Sequence, residues 1–200
     1  MSTKVGIFGG TFDPIHNGHL YIAYEALNQL KLDKIIFIPG GNPPHKSFSS
    51  VSDANQRYKM VELAIKSYEN FEISDYELKK TTKSYSFETL EYYKSLNIGE
   101  LYFILGADSL ITIDSWKNVD RIMEAATLVV FNRPGFTKEQ LVEKKAEVEH
   151  KYNKKIIYLD LLNLEISSSG VREEISTGKR VDFFIPDSVK RYIEENNIYR

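Results

Sequence analysis

The 200-residue chain has no cysteine, which excludes disulfides, thiol nucleophiles and Cys-ligated zinc together and is compatible with a reducing compartment. No apolar run approaches the ~20 residues that a membrane helix requires, so no membrane partner is expected. The apolar stretch at residues 5–8 is too short for a signal-peptide core and ends in glycines, which makes a cytoplasmic location the expectation. A formal net charge of −2 leaves no basic face for nucleic acid, and the thirteen tyrosines are too scattered to form a base-stacking platform. No internal repeat, low-complexity segment or interdomain linker breaks the chain. With 42% apolar and 27% charged residues, it has the composition of an ordinary globular protein, and its length fits one α/β domain over residues 1–200.

Short apolar runs at residues 4–8, 34–39, 71–74, 100–106, 127–132 and 156–160 end in Gly, Pro, Ser or polar residues, as buried parallel strands do. Helical patterns lie between them at 18–30, 53–67, 87–96, 119–124 and 137–152. The last of these opens on Thr137-x-x-Gln140, a capping-box signature, and presents a solvated Lys/Glu face. Two shorter helices, 170–177 and 186–196, close the chain. Alternating βα units predict an α/β fold: a Rossmann-like, doubly wound parallel sheet with helices on both faces and a small C-terminal helical segment. Ligands on such sheets bind at the carboxyl ends of the strands. Residues 40–51 are the longest irregular stretch and a candidate functional loop.

Only four histidines occur, and two of them, His16 and His19, stand where a strand and a glycine turn lead into the first helix. A helix start offers unpaired N–H groups and a positive dipole end, and two imidazoles there add donors for a phosphate. Gly6-x-x-Gly9-Gly10 matches neither a dinucleotide fingerprint nor a P-loop, and reads either as a tight turn or as close backbone approach to phosphate. No third ligand lies at helical spacing from the histidines and H-E-x-x-H is absent, so no protein-bound metal is expected. Far downstream, Ser167-Ser168-Ser169-Gly170-Val171-Arg172 opens another helix with hydroxyls and places a permanent cation one turn in.

Gly9-Gly10-Thr11-Phe12-Asp13-Pro14-Ile15-His16-Asn17-Gly18-His19 resembles the H-x-G-H signature of the nucleotidyltransferase superfamily that includes class I aminoacyl-tRNA synthetases. Ile166 to Arg172 resembles its second signature, I-S-S-T-x-I-R, with Ser169 for threonine and Val171 for isoleucine. Pro43-Pro44-His45-Lys46, Ser84-Tyr85-Ser86, Gly106-Ala107-Asp108-Ser109-Leu110 with Trp116, Arg133-Pro134-Gly135, and the terminal Ile185-Pro186, Tyr192-Ile193 and Tyr199 are similar to segments of bacterial nicotinate-nucleotide adenylyltransferases. The resemblance covers essentially the whole chain.

What it implies can be set out by residue. Gly9, Gly10 and Thr11 would contact phosphates; His16 and His19 would act on the reacting phosphates of ATP; Lys46 and Arg172 would neutralise triphosphate and leaving pyrophosphate. Ser167, Ser168 and Ser169 would add hydroxyl and N–H contacts. Asp108, at the end of the fourth strand, would accept hydrogen bonds from a ribose diol, although it also reads as a helix N-cap, and Gly106 would be among the substrate-binding residues. Trp116, the only tryptophan, would stack on the pyridine ring rather than fill the core, and Ser86 would hold the ring carboxylate, with Arg133 among the further binding residues. His45 reads as a loop residue.

The implied reaction joins ATP and nicotinate mononucleotide to give deamido-NAD and pyrophosphate, with Mg2+ carried on the ATP phosphates. Phosphopantetheine and nicotinamide mononucleotide are alternative acceptors, and a non-catalytic nucleotide-binding module is the alternative outside enzymes. The sequence leaves oligomeric state open, a homo-oligomer included.

Overall fold

The computed structural model describes residues 2–41, 51–132, 135–162 and 164–200. Six strands, β1 (Lys4–Gly10), β2 (Lys34–Pro39), β3 (Phe71–Ile73), β4 (Glu100–Gly106), β5 (Thr127–Phe131) and β6 (Ile156–Leu159), form one sheet in the order β3-β2-β1-β4-β5-β6. Every pairing is parallel, and this is the doubly wound order expected of a Rossmann-like sheet.

The helices α1 (Asn17–Leu30), α2 (Ala54–Ile65), α3 (Ser86–Ser95), α4 (Ala107–Ile111), α5 (Val119–Ala125), α6 (Lys138–Tyr152), α7 (Ser168–Ser176) and α8 (Asp187–Glu195) are set between and after the strands. Alternate strand residues point to opposite faces, which divides the core in two. Phe8, Ile35, Phe37, Ile104, Val129 and Leu159 meet Ala23 of α1, Met60 and Val61 of α2, and Val189 and Ile193 of α8. Val5, Ile7, Ile36, Phe103, Leu105, Leu128 and Val130 meet Leu90 of α3, Ile122 of α5 and Val148 of α6. The C-terminal helices are therefore no appendage: Val171 of α7 belongs to the first of these clusters, and α8 lies against α2.

Three local features depart from the sequence reading. The glycines at 9 and 10 make no turn; they are the last residues of β1. The chain turns beyond them, where Phe12 adopts a left-handed φ of 50° and a cis Asp13–Pro14 peptide follows. The short helix α4 and the 3-10 turn at Ile113–Ser115 were not anticipated. Five residues carry too little periodicity to be read as a helix. The capping box of α6 is present as expected: the Thr137 hydroxyl accepts from the Gln140 N–H, and the Gln140 side chain from the Thr137 N–H.

Position along the sheet decides where a ligand can enter. β1 pairs with β4 only from Lys4↔Glu100 to Phe8↔Ile104. Beyond that point β1 follows β2 to Gly10↔Pro39, while β4 follows β5 to Gly106↔Phe131. The sheet splits at its carboxyl edge, at the topological switch point.

Two glycines of β1 answer differently to a methyl group. A Cβ at Gly6 would lie 2.9 Å from Ile35, 3.1 Å from Leu32 and 3.3 Å from Ile104, whereas one at Gly9 would meet only Phe103, at 3.9 Å. Gly6→Ala should cost about 1–3 kcal/mol by overpacking, and Gly9→Ala should stay within about 0.5 kcal/mol of wild type. Urea unfolding of both variants checks this; equal stabilities would contradict it.

Candidate active site

At the split in the sheet lies a cavity of about 1050 Å³, above the ~300–1,000 Å³ usual for one small ligand. Its walls bring together Gly9 and Gly10 from the end of β1, Thr11 just after it, His16 and His19 from the N-cap and first turn of α1, Ser86 from α3, and Gly106 and Asp108 from the β4–α4 junction. Trp116, Ser167, Ser168, Ser169 and Arg172 complete the expected set. Residues more than a hundred and fifty positions apart in the chain thus share one chamber. Lys46, with the rest of Pro43-Pro44-His45-Lys46, and Arg133 lie outside the described residues.

The start of α1 is built from its own two histidines. The His16 Nδ1 accepts the His19 N–H at 3.3 Å, and the His19 Nδ1 accepts the His16 N–H at 3.2 Å. This is a reciprocal capping box with imidazoles in place of hydroxyl and carboxylate. The rings stack with centroids 3.6 Å apart. An Nδ1 that accepts cannot carry the ring proton, so each neutral ring holds it on Nε2. Gly18 makes the stack possible, because a Cβ there would come within 3.0 Å of the His16 Nδ1. Asn17 ties the helix start to the C-terminal segment, its N–H and side-chain amide donating to the Phe184 and Phe183 carbonyls.

The second signature docks directly on the first. Ser168 donates its hydroxyl to the Pro14 carbonyl at 2.9 Å, and Arg172 donates an Nη1–H to the Asp13 carbonyl at 2.7 Å. Ser167 is the N-cap of α7, accepting the Gly170 N–H at 3.1 Å, with its oxygen 3.3 Å from that of Ser169. The helix begins two residues earlier than the pattern predicted because this cap fixes it at Ser168. For Ser167, capping and cavity-lining are roles of one side chain, not alternatives.

Also on the chamber wall, Ser86 is the first residue of α3, whose N-cap, Tyr85, supplies no side-chain acceptor. Trp116 is half-buried on the cavity wall, edge-on to Phe103, and so is not a core residue. Just before it, Asp114 takes Lys144 and Lys151 of α6, which pins the 3-10 turn carrying the tryptophan. Asp108 sits inside the first turn of α4 rather than at the strand end or the cap; Gly106 is the N-cap.

Three residues in and around the chamber, Asp13, Arg57 and Glu77, were given no role by the sequence reading. Asp13 is 4% exposed; its carboxylate accepts the Tyr199 hydroxyl at 2.6 Å and the Ser52 N–H at 3.2 Å, with the Arg172 Nη1 at 3.9 Å. Arg57, fully buried in α2, donates to the carbonyls of Thr11 at 2.7 Å, Ser52 at 3.0 Å and Gly41 at 3.5 Å. Burial pulls its guanidinium below the ordinary value while Asp13 opposes this; arginine stays charged under such a shift. The signal for Arg57 was available: it shares the i, i+3, i+4, i+7 stripe with Met60, Val61 and Ala64, so an arginine occupies a core position. Glu77 lines the cavity beside Ser84, accepts the Thr89 hydroxyl at 2.7 Å, and has its carboxyl pushed up by burial. The Ser84 hydroxyl is buried without a hydrogen-bond partner of good geometry among the described residues. Among those residues no group of three or more His, Cys, Asp or Glu could hold a metal ion, and no helix is long and apolar enough to cross a membrane.

Comparison with known proteins places this geometry. The Cytidylyltransferase-like family model matches residues 7–174. The chain is 53% identical over 198 residues to a Clostridium tetani protein named "probable nicotinate-nucleotide adenylyltransferase", covering 98% of this chain and 99% of that one. A protein of the same name from Clostridium novyi is 47% identical over 198 residues, again covering 98% and 99%. Among solved structures, Plasmodium falciparum nicotinic acid mononucleotide adenylyltransferase complexed with NaAD superposes with a TM-score of 0.79 at 21% identity, over 98% of this chain and 97% of that one. The same protein complexed with APC gives 0.78 at 20% identity over the same shares. At such identities the structures attest the fold. The family model and the full-length identities near one half attest the family: the chain belongs to the Cytidylyltransferase-like family and, within it, to the nicotinate-nucleotide adenylyltransferases.

Proposed function

We propose that this chain transfers the adenylyl group of ATP to nicotinate mononucleotide, forming deamido-NAD and pyrophosphate. The observation that carries this reading is one chamber of about 1050 Å³ whose wall combines phosphate donors, an aromatic ring and an uncapped helix start. The helices α1, α3 and α7 all open onto it, and their N-termini favour anionic ligands.

An oxygen of the mononucleotide phosphate attacks the α-phosphorus of ATP. The bond from that phosphorus to the bridging oxygen breaks, and pyrophosphate leaves with its electron pair. A phosphate monoester has a second pKa near ~6, so at neutral pH the nucleophile is already dianionic and needs no base. The residues then have two tasks, alignment and charge stabilisation. Gly9, Gly10 and Thr11 let the polyphosphate approach the backbone. His16 and His19 donate Nε2–H bonds to the reacting phosphates, and Arg172 neutralises charge gathering on pyrophosphate. Lys46 is assigned the same task from the sequence.

Ser167, Ser168 and Ser169 surround the phosphates, and Gly106 and Asp108 receive the ribose. Trp116 stacks on the pyridine ring, with Ser86 and the first N–H groups of α3 on its carboxylate; Arg133 is assigned to binding from the sequence. Magnesium enters as part of the Mg–ATP substrate, held by phosphate oxygens and water; the donor set of the described residues does not fit a metal cage.

His19→Ala and Arg172→Ala should each lower turnover by about 10²–10³ while circular dichroism reports a folded protein; near-wild-type kinetics in either would remove that residue from the machinery. Pyrophosphate release with nicotinate mononucleotide, nicotinamide mononucleotide and 4′-phosphopantetheine tests the acceptor. Placing an amide where N–H donors await a carboxylate costs about 1.5–3 kcal/mol, roughly ten- to a hundredfold in kcat/KM. Preference for either other acceptor would reassign the substrate. ATP binding without turnover of any acceptor would make the chain a nucleotide-binding module.

A further inference from the structure

The end of the chain returns to its beginning. The Tyr199 hydroxyl donates to the Asp13 Oδ1 at 2.6 Å across 186 positions of sequence. Tyr199 has a left-handed φ of 67°, a conformation that bulky side chains avoid unless their surroundings impose it. Its side chain packs against the core cluster of α1, α2 and α8. Burial first, and the hydrogen bond to Asp13 second, push its hydroxyl well above the ordinary tyrosine value, so it remains a donor.

What this bond restrains is specific. The other Asp13 oxygen, Oδ2, lies 3.9 Å from the Arg172 Nη1, too far for a hydrogen bond, while that nitrogen donates instead to the Asp13 main-chain carbonyl at 2.7 Å. A carboxylate and a guanidinium this close would close to a direct, charge-assisted pair if the carboxylate could turn. Tyr199 on Oδ1 and the Ser52 N–H on Oδ2 hold it where it is.

We propose that Tyr199 is a positioning residue for adenylyl transfer: by fixing the Asp13 carboxylate it keeps Arg172 from closing to a direct ion pair with that carboxylate, so that the guanidinium stays on the wall of the chamber it lines. This rests on the role given to Arg172 above.

Tyr199→Phe deletes the hydroxyl and keeps the ring. Loss of one hydrogen bond to a charged group predicts a fall in kcat of about tenfold, with KM for nicotinate mononucleotide within about twofold and an unfolding midpoint within a few degrees of wild type. In the ligand-free protein the Arg172 Nε–H resonance should move, a change that a purely structural tyrosine would not cause. In an Arg172→Ala background the same substitution should add less than about twofold, because coupled residues are not additive. An unmoved resonance with unchanged kcat, a full tenfold penalty without Arg172, or a Tyr199→Phe protein that does not fold would each overturn the proposal. The resonance is read without turnover, so it reports the Tyr199–Asp13–Arg172 arrangement separately from whether Arg172→Ala proves inactive.

Discussion

The site exists because β1 and β4 stop pairing after Phe8 and Ile104. Up to that register both strands are held on both sides and their side chains fill two sealed cores. Beyond it each strand keeps only its outer neighbour, β2 or β5, and the connections diverge to opposite faces. The backbone groups bared by the parting face a chamber instead of a partner strand. At Gly9 a Cβ would meet only Phe103, at 3.9 Å, whereas glycine at 10 makes room for the buried Phe12 ring, which a Cβ would approach to 2.8 Å. Residues from α1, α3, α4 and α7 reach one cavity because the chain leaves the carboxyl edge of the sheet on both sides of this gap.

A second level of order is electrostatic. Arg57 is fully buried, and the removal of one partner from such an arrangement costs about 3–5 kcal/mol. Here the charge holds three carbonyls, of Thr11, Ser52 and Gly41. Two of these flank residues 42–50, and the third belongs to the loop after β1. Asp13 supplies the opposite charge in the same loop and takes the Ser52 N–H. The loop after β1 is therefore held from below by a buried cation and across by Arg172 and Ser168. An arrangement this interlocked costs little reorganisation when a triphosphate arrives, the condition under which fixed donors stabilise developing charge best.

Much of this was legible in the sequence, for physical reasons that can be named. Parallel strands buried on both faces are short apolar runs, and all six were readable as such, with bounds within two residues of those observed. Thr137 and Gln140 announced the start of α6 because a capping box depends on two residues three apart. The helix α4 was not legible, since five residues give no periodicity to read. Glycine misled in one place: Gly9-Gly10 looks like a turn, yet the turn belongs to Phe12, whose positive φ no propensity would assign to an aromatic residue. Asp13, Arg57 and Glu77 were missed because their importance lies in partners remote in sequence. Only Arg57 left a trace, as a charge in an apolar stripe.

The histidines show how local structure bears on mechanism. In a catalytic dyad an imidazole has one nitrogen oriented by an acceptor and the other left as a base. Here the order is reversed, because both Nδ1 atoms already accept main-chain N–H bonds within the helix cap. The cap fixes the ring planes, stacks them at 3.6 Å and puts the proton of each neutral ring on Nε2. In the proposed reaction these rings hold phosphate oxygens as donors and remove no proton. That is the requirement of a displacement whose nucleophile arrives already ionised. The same hydrogen bonds that begin a helix thus decide which half of acid–base chemistry its histidines can perform.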